Sequence, residues 1–464
     1  MSFQPENIYF KMPPRESDAL LAGRKPPYHQ QLSIDEASYP SESENDATQE
    51  ENGWRRFLLS ILVIGCVLWV INTDSFVGNT LRSGIHTVAE DIAEKTAPRI
   101  KLNGSGPYKL VEAHKGKSFF DYYTFNDGPD SIGSAGYNTY VGRKKAKALD
   151  LIKVEADEIT GDDHVYISSK QGKHYDEYGN RFRDSIRLEG KRRFSDGLIL
   201  LDVSKMPTGC GVWPAFWSTD EKDWPKNGEI DIVEPINNQV VAKTALHTSE
   251  DCDMYAHVPR YNWTGYWDSA TGLPDTFTGE LNFETTLEAD NCWTQTPHQW
   301  ANQGCVAISD QNDTIGAPMN EPTPSGESGG IYALEWDPSG GYIKSWVFPR
   351  EAIPSNLQAT VDGTSKPDPT TWPTPYAFFA IGEGSGCSAD HFQNHRLVIN
   401  LAFCGAVAGN RFQKDCPALY EQYNVHNDSV ATCNAYIDSL EAQSALEKEA
   451  FWKIKGVYLY QREE

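Results

Sequence analysis

The chain has no excess of positive charge. Lys and Arg number 41 against 65 Asp and Glu, and the net charge of −24 removes the basic footprint a nucleic-acid binder needs. Acidity alone says little more, since it is a common solubility device. No Cys-x-x-Cys pair occurs, and His257, His298, His391 and His395 lack a metal-ligand spacing, so neither a metal nor another cofactor is expected. The glycine-rich "GEGSGCSADH" lacks the Lys-Ser/Thr ending of a phosphate loop. Internal repeats and long single-residue tracts are absent. Helix-period runs are scarce, with Ser439–Glu449 the one long helix expected.

Long apolar runs are nearly absent too. The exception is "RRFLLSILVIGCVLWVIN", in which Phe57 to Ile71 carry no charge. A helix of that length spans about 22 Å, short of the ~30 Å hydrocarbon core, so a buried helix or a cleaved signal competes with a membrane span. A cleavable signal begins near the N-terminus, and this run lies too deep for one. With Trp54, Asn72 and Thr73 at the interfaces, it suits a thin membrane. Residues 54–73 are therefore expected to form a single-pass signal anchor, with Arg55 and Arg56 keeping the N-terminus cytoplasmic. Residues 1–53 are polar, without apolar period, and read as a disordered tail. Residues 74–106 read as a stem.

The protein is then a type II membrane protein whose remainder is lumenal or extracellular. Two independent features agree. Cys210, Cys252, Cys292, Cys305, Cys387, Cys404, Cys416 and Cys433 all follow the anchor, an even set that suggests disulfides. Their pairing is open among on the order of a hundred connectivities. The glycosylation sequons at Asn103, Asn262, Asn312 and Asn427 also lie on that side.

What remains, residues 107–464, is rich in aromatics and scattered Gly and Pro. "GLILLDVSKM", "GVWPAFWSTD", "VAKTALHTS", "HRLVINLAF" and "FWKIKGVYLYQ" have strand composition or alternation. "YALEWDPSGGYIKSWVF" is a hairpin about Pro-Ser-Gly-Gly. Many strands with little helix point to an all-β sandwich of two packed sheets.

One strand poses a problem. "WPKNGEIDIVEP" carries Glu229, Asp231 and Glu234 among Ile230, Ile232 and Val233. Regular alternation sets Glu229 and Asp231 on one face but Glu234 with the isoleucines, where a lone carboxylate is costly. A β-bulge near Val233 would return Glu234 to the acidic face. Alternatively the strand ends at Val233, because Pro235 cannot donate to a ladder, and Glu234 sits in solvent. Spacing alone leaves both readings open.

The stretch "MPTGCGVWPAFWSTDEKDWPKNGEIDIVE" resembles glycoside hydrolase family 16, and within it the fungal laminarinase-type endo-β-1,3-glucanases. "SIRL", "LHTSEDCDM", "GGIYALEW", "VINLAFCG" and "GVYLYQ" follow in the same order, so the resemblance covers roughly residues 106–461. It implies a β-jelly roll of two antiparallel sheets with a concave cleft for β-glucan, here preceded by a transmembrane helix. It also implies the bulge, with Glu229 as nucleophile, Glu234 as general acid/base and Asp231 between them. Such a retaining pair needs carboxyls about 5–5.5 Å apart in opposite protonation states.

The resemblance further implies substrate contacts from Trp217, Trp224, His247 and Arg187, and by a looser alignment from Asn138. Trp213 is assigned to the opposite strand parity, where a core position fits at least as well as a cleft one. After "FCG" the fungal enzymes tend to carry a tryptophan where this chain has Val407. The function expected is endo-acting hydrolysis of β-1,3-glucan, including mixed 1,3-1,4 or 1,3-1,6 linkages. A glucan transglycosylase is the alternative, since sugar can intercept a glycosyl-enzyme instead of water. A non-catalytic glucan receptor fits less well, because both glutamates are present.

Overall fold

The computed structural model describes residues 107–463, except residues 131–133, 159, 176–178, 180, 255–257, 259, 271–287, 298 and 362–365. The expected tail, anchor and stem, the Asn103 sequon, His257 and His298 therefore lie outside the described residues. Among the described residues no helix is long and apolar enough to cross a membrane.

Two eight-stranded sheets dominate. One runs Ala377–Ala380, Tyr342–Pro349, Gly330–Asp337, Gly197–Lys205, Trp452–Arg462, Asp163–Ile167 and Ile152–Ala156, with Tyr108–His114 also paired to Trp452–Arg462. The other runs Tyr266–Trp267, Cys305–Ile308, Lys243–His247, Glu229–Val233, Val212–Thr219, Arg396–Phe403, Arg187–Gly190 and Tyr123–Phe125. Every named strand pair in both is antiparallel. A smaller third sheet contains one parallel pair, Asn138–Tyr140 with Arg181–Ser185. The all-β expectation stands.

Alternation explains why the large sheets stack. Ile199, Leu201 and Val203 of one strand meet Phe216, Ile230, Leu246 and Ile399 of the other sheet in a shared core. The intervening residues of the second sheet, among them Trp217, Asp231 and Asn400, point the other way. That outer face carries the polar chemistry.

The helix expectation was incomplete. Leu440–Glu449 is helical, but so are Ser429–Asp438, Pro417–Tyr423 and Phe412–Asp415. Cys210–Cys416 and Cys404–Cys433 pin this helical cluster to the acid-bearing sheet, and Cys252–Cys387 and Cys292–Cys305 complete the four disulfides. Asp428 and Ser439 cap the two ten-residue helices by accepting from Ala431 N and Ala442 N.

On the far sheet, Arg350 Nη2 meets Asp202 Oδ1 at 2.7 Å with both side chains 5 % exposed. Removing one member of a buried pair strands the other charge. Arg350→Met is expected to cost about 3–5 kcal/mol in denaturant unfolding, and adding Asp202→Leu should recover much of it. A wild-type midpoint for Arg350→Met would contradict this reading of the pair.

Candidate active site

The acid-bearing strand lies between Val212–Thr219 and Lys243–His247. Thr219 pairs with Glu229, Ser218 with Ile230 and Trp217 with Asp231, but Phe216 then pairs with Val233. One partner residue thus opposes two on the acid strand, and Ile232 is the extra one. This is a β-bulge. Both open readings of the strand hold in part: the ladder ends at Val233, and the bulge turns Glu234 toward the face of the other two acids. Ile230, Ile232 and Val233 all remain in the core.

Each acid has a distinct partner. Trp224 Nε1 donates to Glu229 Oε2 at 2.7 Å. Trp213 Nε1 donates to Glu234 Oε1 at 2.9 Å. His247 Nε2 lies 2.9 Å from Asp231 Oδ2, and Asp231 also hydrogen-bonds Glu229. An ionised Asp231 accepts from His247 Nε2–H, whereas the hydrogen bond between Asp231 and Glu229 needs a proton on one of the two carboxyls. His247 stands directly opposite Glu229 in the neighbouring strand, which explains its reach to the next acid along that face.

The wider face is built from the flanking strands. Trp217 Nε1 donates to Asn400 Oδ1 at 2.7 Å, and the Arg187 guanidinium lies over the Trp217 ring, 5.1 Å from its centre. Arg187 is held by Glu189 at 3.1 Å, Glu189 by Arg396 at 2.9 Å, and Arg396 by Glu221 at 2.7 Å. A ladder of alternating charge therefore runs from Trp217 toward the turn that carries Trp224. The structure thus gathers Glu229, Asp231, Glu234, His247, Trp217, Trp224 and Arg187. Asn138 lies in the third sheet, buried at 1 % exposure, and its Oδ1 accepts from Phe403 N at 3.1 Å.

Trp213 corrects the parity assignment made from sequence. Residues 213 and 217 are four apart on one strand and share a face, so Trp213 is both buried and directed at an acid. Val407 packs beside it, with Ile236, Ala402 and Ala408. Asn400 was missed, although a lone polar residue within "VINLAF" was a usable signal. Asn312 and Asn427 are exposed and Asn262 is partly so.

Burial pushes the Glu229 carboxyl up to about 8, with the charge of Asp231 adding to it and the Trp224 indole opposing. Burial likewise raises Asp231 to about 7 and Glu234 to about 8, the latter also feeling the charge of Asp231. Three carboxyls this close release their protons as a coupled set. Such a set is partly protonated at neutral pH, so it can hold an acid and a base together. Among the described residues, Glu229, Asp231 and His247 also offer donor atoms within 4.8 Å of one another, close enough for a metal.

The raised values have a stability consequence. A carboxyl whose folded pKa exceeds its unfolded value contributes fully below about pH 4, and that contribution is lost as pH rises through about 8. Glu234→Gln removes one such group. The variant should melt above wild type at pH 8, with the gap closing toward pH 4 in a calorimetric series. A variant that is less stable at pH 8 than at pH 4, relative to wild type, would contradict the sign.

A family model for the XgeA-like catalytic domain of glycoside hydrolase family 16 matches residues 120–460. A probable endo-1,3(4)-beta-glucanase of Aspergillus fumigatus is 32% identical over 368 residues, covering 79% of this chain and 47% of that protein. A probable glycosidase of Schizosaccharomyces pombe is 30% identical, covering 76% of this chain and 69% of its own length. The chain spans about half the length of the Aspergillus relatives. Among solved structures, an elongating family 16 β-1,3-glucosyltransferase aligns with a TM-score of 0.58 at 28% identity, covering 76% of this chain and 100% of that one. Laminarinase 16A from Phanerochaete chrysosporium, with 6-O-glucosyl-laminaritriose in donor and acceptor sites, aligns with a TM-score of 0.58 at 27% identity, covering 76% and 99%. With its all-β sandwich and three acids on one bulged strand, the chain belongs to glycoside hydrolase family 16, in the XgeA-like group.

Proposed function

We propose that the chain is a retaining, endo-acting β-1,3-glucan hydrolase, accepting mixed 1,3-1,4 or 1,3-1,6 linkages, that works by double displacement. The observation carrying this reading is the bulge at Ile232, which supplies Glu229 and Glu234 to one face from one strand. The outer face of that sheet would form the concave wall of a jelly-roll cleft, with Trp217 and Trp224 offering flat rings to pyranose units.

In the first step Glu229 attacks the anomeric carbon, while protonated Glu234 gives its proton to the departing glycosidic oxygen. The C–O bond breaks and a glycosyl ester forms on Glu229. In the second step Glu234, now a carboxylate, takes the proton of an incoming hydroxyl, which displaces Glu229 and restores the β-configuration. The indole N–H of Trp224 favours the ionised form of Glu229. The negative charge of Asp231 raises both glutamates and an indole N–H lowers each, so the acids share their protons as one set, in which Glu229 is ionised while Glu234 is protonated in the reactive form.

The incoming hydroxyl can be water or sugar. The second reading, glucan transfer in wall or storage-glucan biogenesis, gains support because the similar structures include an elongating glucosyltransferase as well as a laminarinase. For location we propose a type II protein anchored by residues 54–73, with this domain lumenal or extracellular. Four disulfides and exposed sequon asparagines suit an oxidising compartment.

The purified protein should therefore convert a soluble β-1,3-glucan into several shorter products, resolved by size. Proton NMR of early products should detect the β-anomer before mutarotation, with longer transfer products appearing at high glucan concentration. Initial α-anomer would overturn the double displacement. No conversion of any β-glucan would overturn the enzymatic reading.

A further inference from the structure

Trp224 is the partner of Glu229, yet its ring is 43% exposed. The indole reaches Glu229 from the turn that runs from Asp220 to Gly228, so the conformation of that turn sets its placement. That turn is clamped from outside the site. Asp220, 1 % exposed, accepts at Oδ2 from Asn227 Nδ2 at 2.9 Å and from Asn394 Nδ2 at 3.0 Å. Its Oδ1 accepts from Arg193 Nη1 at 3.2 Å and from Lys222 N at 3.3 Å. All four partners are donors.

A second clamp comes from His395, which is fully buried. Its Nε2 lies 2.7 Å from Asn227 O and its Nδ1 lies 3.0 Å from Ser218 Oγ. A carbonyl can only accept, so Nε2 carries the proton and Nδ1 accepts from the serine hydroxyl. Burial lowers the His395 pKa to about 4, which keeps this neutral arrangement through the working range. Gln393 N also donates to Asn227 O at 3.1 Å. Gly228, at φ +81°, closes the turn where an added Cβ would lie 2.4 Å from His391 O. The segment 391–395 is thus pressed against the end of the turn, next to Glu229.

We propose that Asp220 and His395 are positioning residues: they lock the turn so that the Trp224 indole stays on Glu229. Neither touches the acids. They act through Asn227 and the backbone of the turn, and the hydrogen bond they protect helps keep the nucleophile's oxygen aimed and ionised. The catalytic part of this inference rests on the proposed role of Glu229, whereas the placement of Trp224 is independent of it.

The test uses the full chain labelled with nitrogen-15 at the tryptophan indoles. The Trp224 resonance is assigned by its loss in Trp224→Phe, and its response to the carboxylate is calibrated by Glu229→Gln. Asp220→Asn turns an amide N–H₂ toward donors, and His395→Ala removes the second clamp. Both should move the Trp224 signal toward its position in Glu229→Gln while the Trp213 signal stays. Asn227→Ala, a partly exposed site, gives the same readout if either buried variant does not fold. On a soluble β-1,3-glucan, Asp220→Asn should lose about tenfold in kcat/KM, as a misplaced group does. The double variant with Trp224→Phe should lose no more than the worse single one, while losses in Tm add. An unmoved Trp224 signal in the folded variants, or additive losses in kcat/KM, would overturn the proposal. A wild-type protein inactive on every β-glucan would overturn the functional reading instead, with the indole signal still deciding the clamp.

Discussion

A strand has a side-chain period of two, and a site that needs acids five positions apart on one face cannot be built from a regular strand. The extra residue at Ile232 breaks that period where Asp231 gives way to Val233. Its own side chain stays in the core with Ile230 and Val233, so the interior loses little while Glu234 changes face. The partner strand answers in kind. Trp213 and Trp217 stand on the same outer face, one on Glu234 and the other beside Arg187. The site follows from one inserted residue.

Gathering three carboxyls in a partly buried setting opposes folding at neutral pH, and burial is the leading cause for each of them. Indole N–H groups and His247 offset this at Glu229 and Glu234, and the hydrogen bond with Glu229 offsets it at Asp231. Tryptophan is suited to that task because it donates one hydrogen bond without adding a charge and presents a broad ring. The compensation for a strained charge cluster lies in the rest of the molecule, where two stacked eight-stranded sheets and four disulfides hold the strand in register.

Much of this was legible in the residues. Alternation in "GLILLDVSKM" and "HRLVINLAF" gave the stacked sheets, and the clash between Glu234 and its isoleucine neighbours gave the question that the bulge answers. The choice between bulge and strand end needed the resemblance or the structure, because Pro235 is compatible with both. The helices near the C-terminus were harder to read. Pro417 and Asn424 interrupt that stretch, and Asp428 and Ser439 start new helices within it, so no apolar period runs long enough. Disulfide partners as far apart as 206 residues carry no local signal at all. Asn138 sits in a third, partly parallel sheet whose short strands have no clear pattern. Asp220 and His395 look like ordinary loop polar residues until the turn between them is seen.

The claim at the centre is that Glu229 makes the covalent bond while Glu234 moves the proton. An activated 2-deoxy-2-fluoro β-1,3-glucan oligosaccharide reports this directly, because fluorine at C2 slows breakdown of the glycosyl ester and lets it accumulate. The full chain would be treated with the reagent, weighed intact, digested and mapped by peptide mass spectrometry. One sugar label on Glu229 is the expected result. A label on Asp231 or Glu234 would contradict the account.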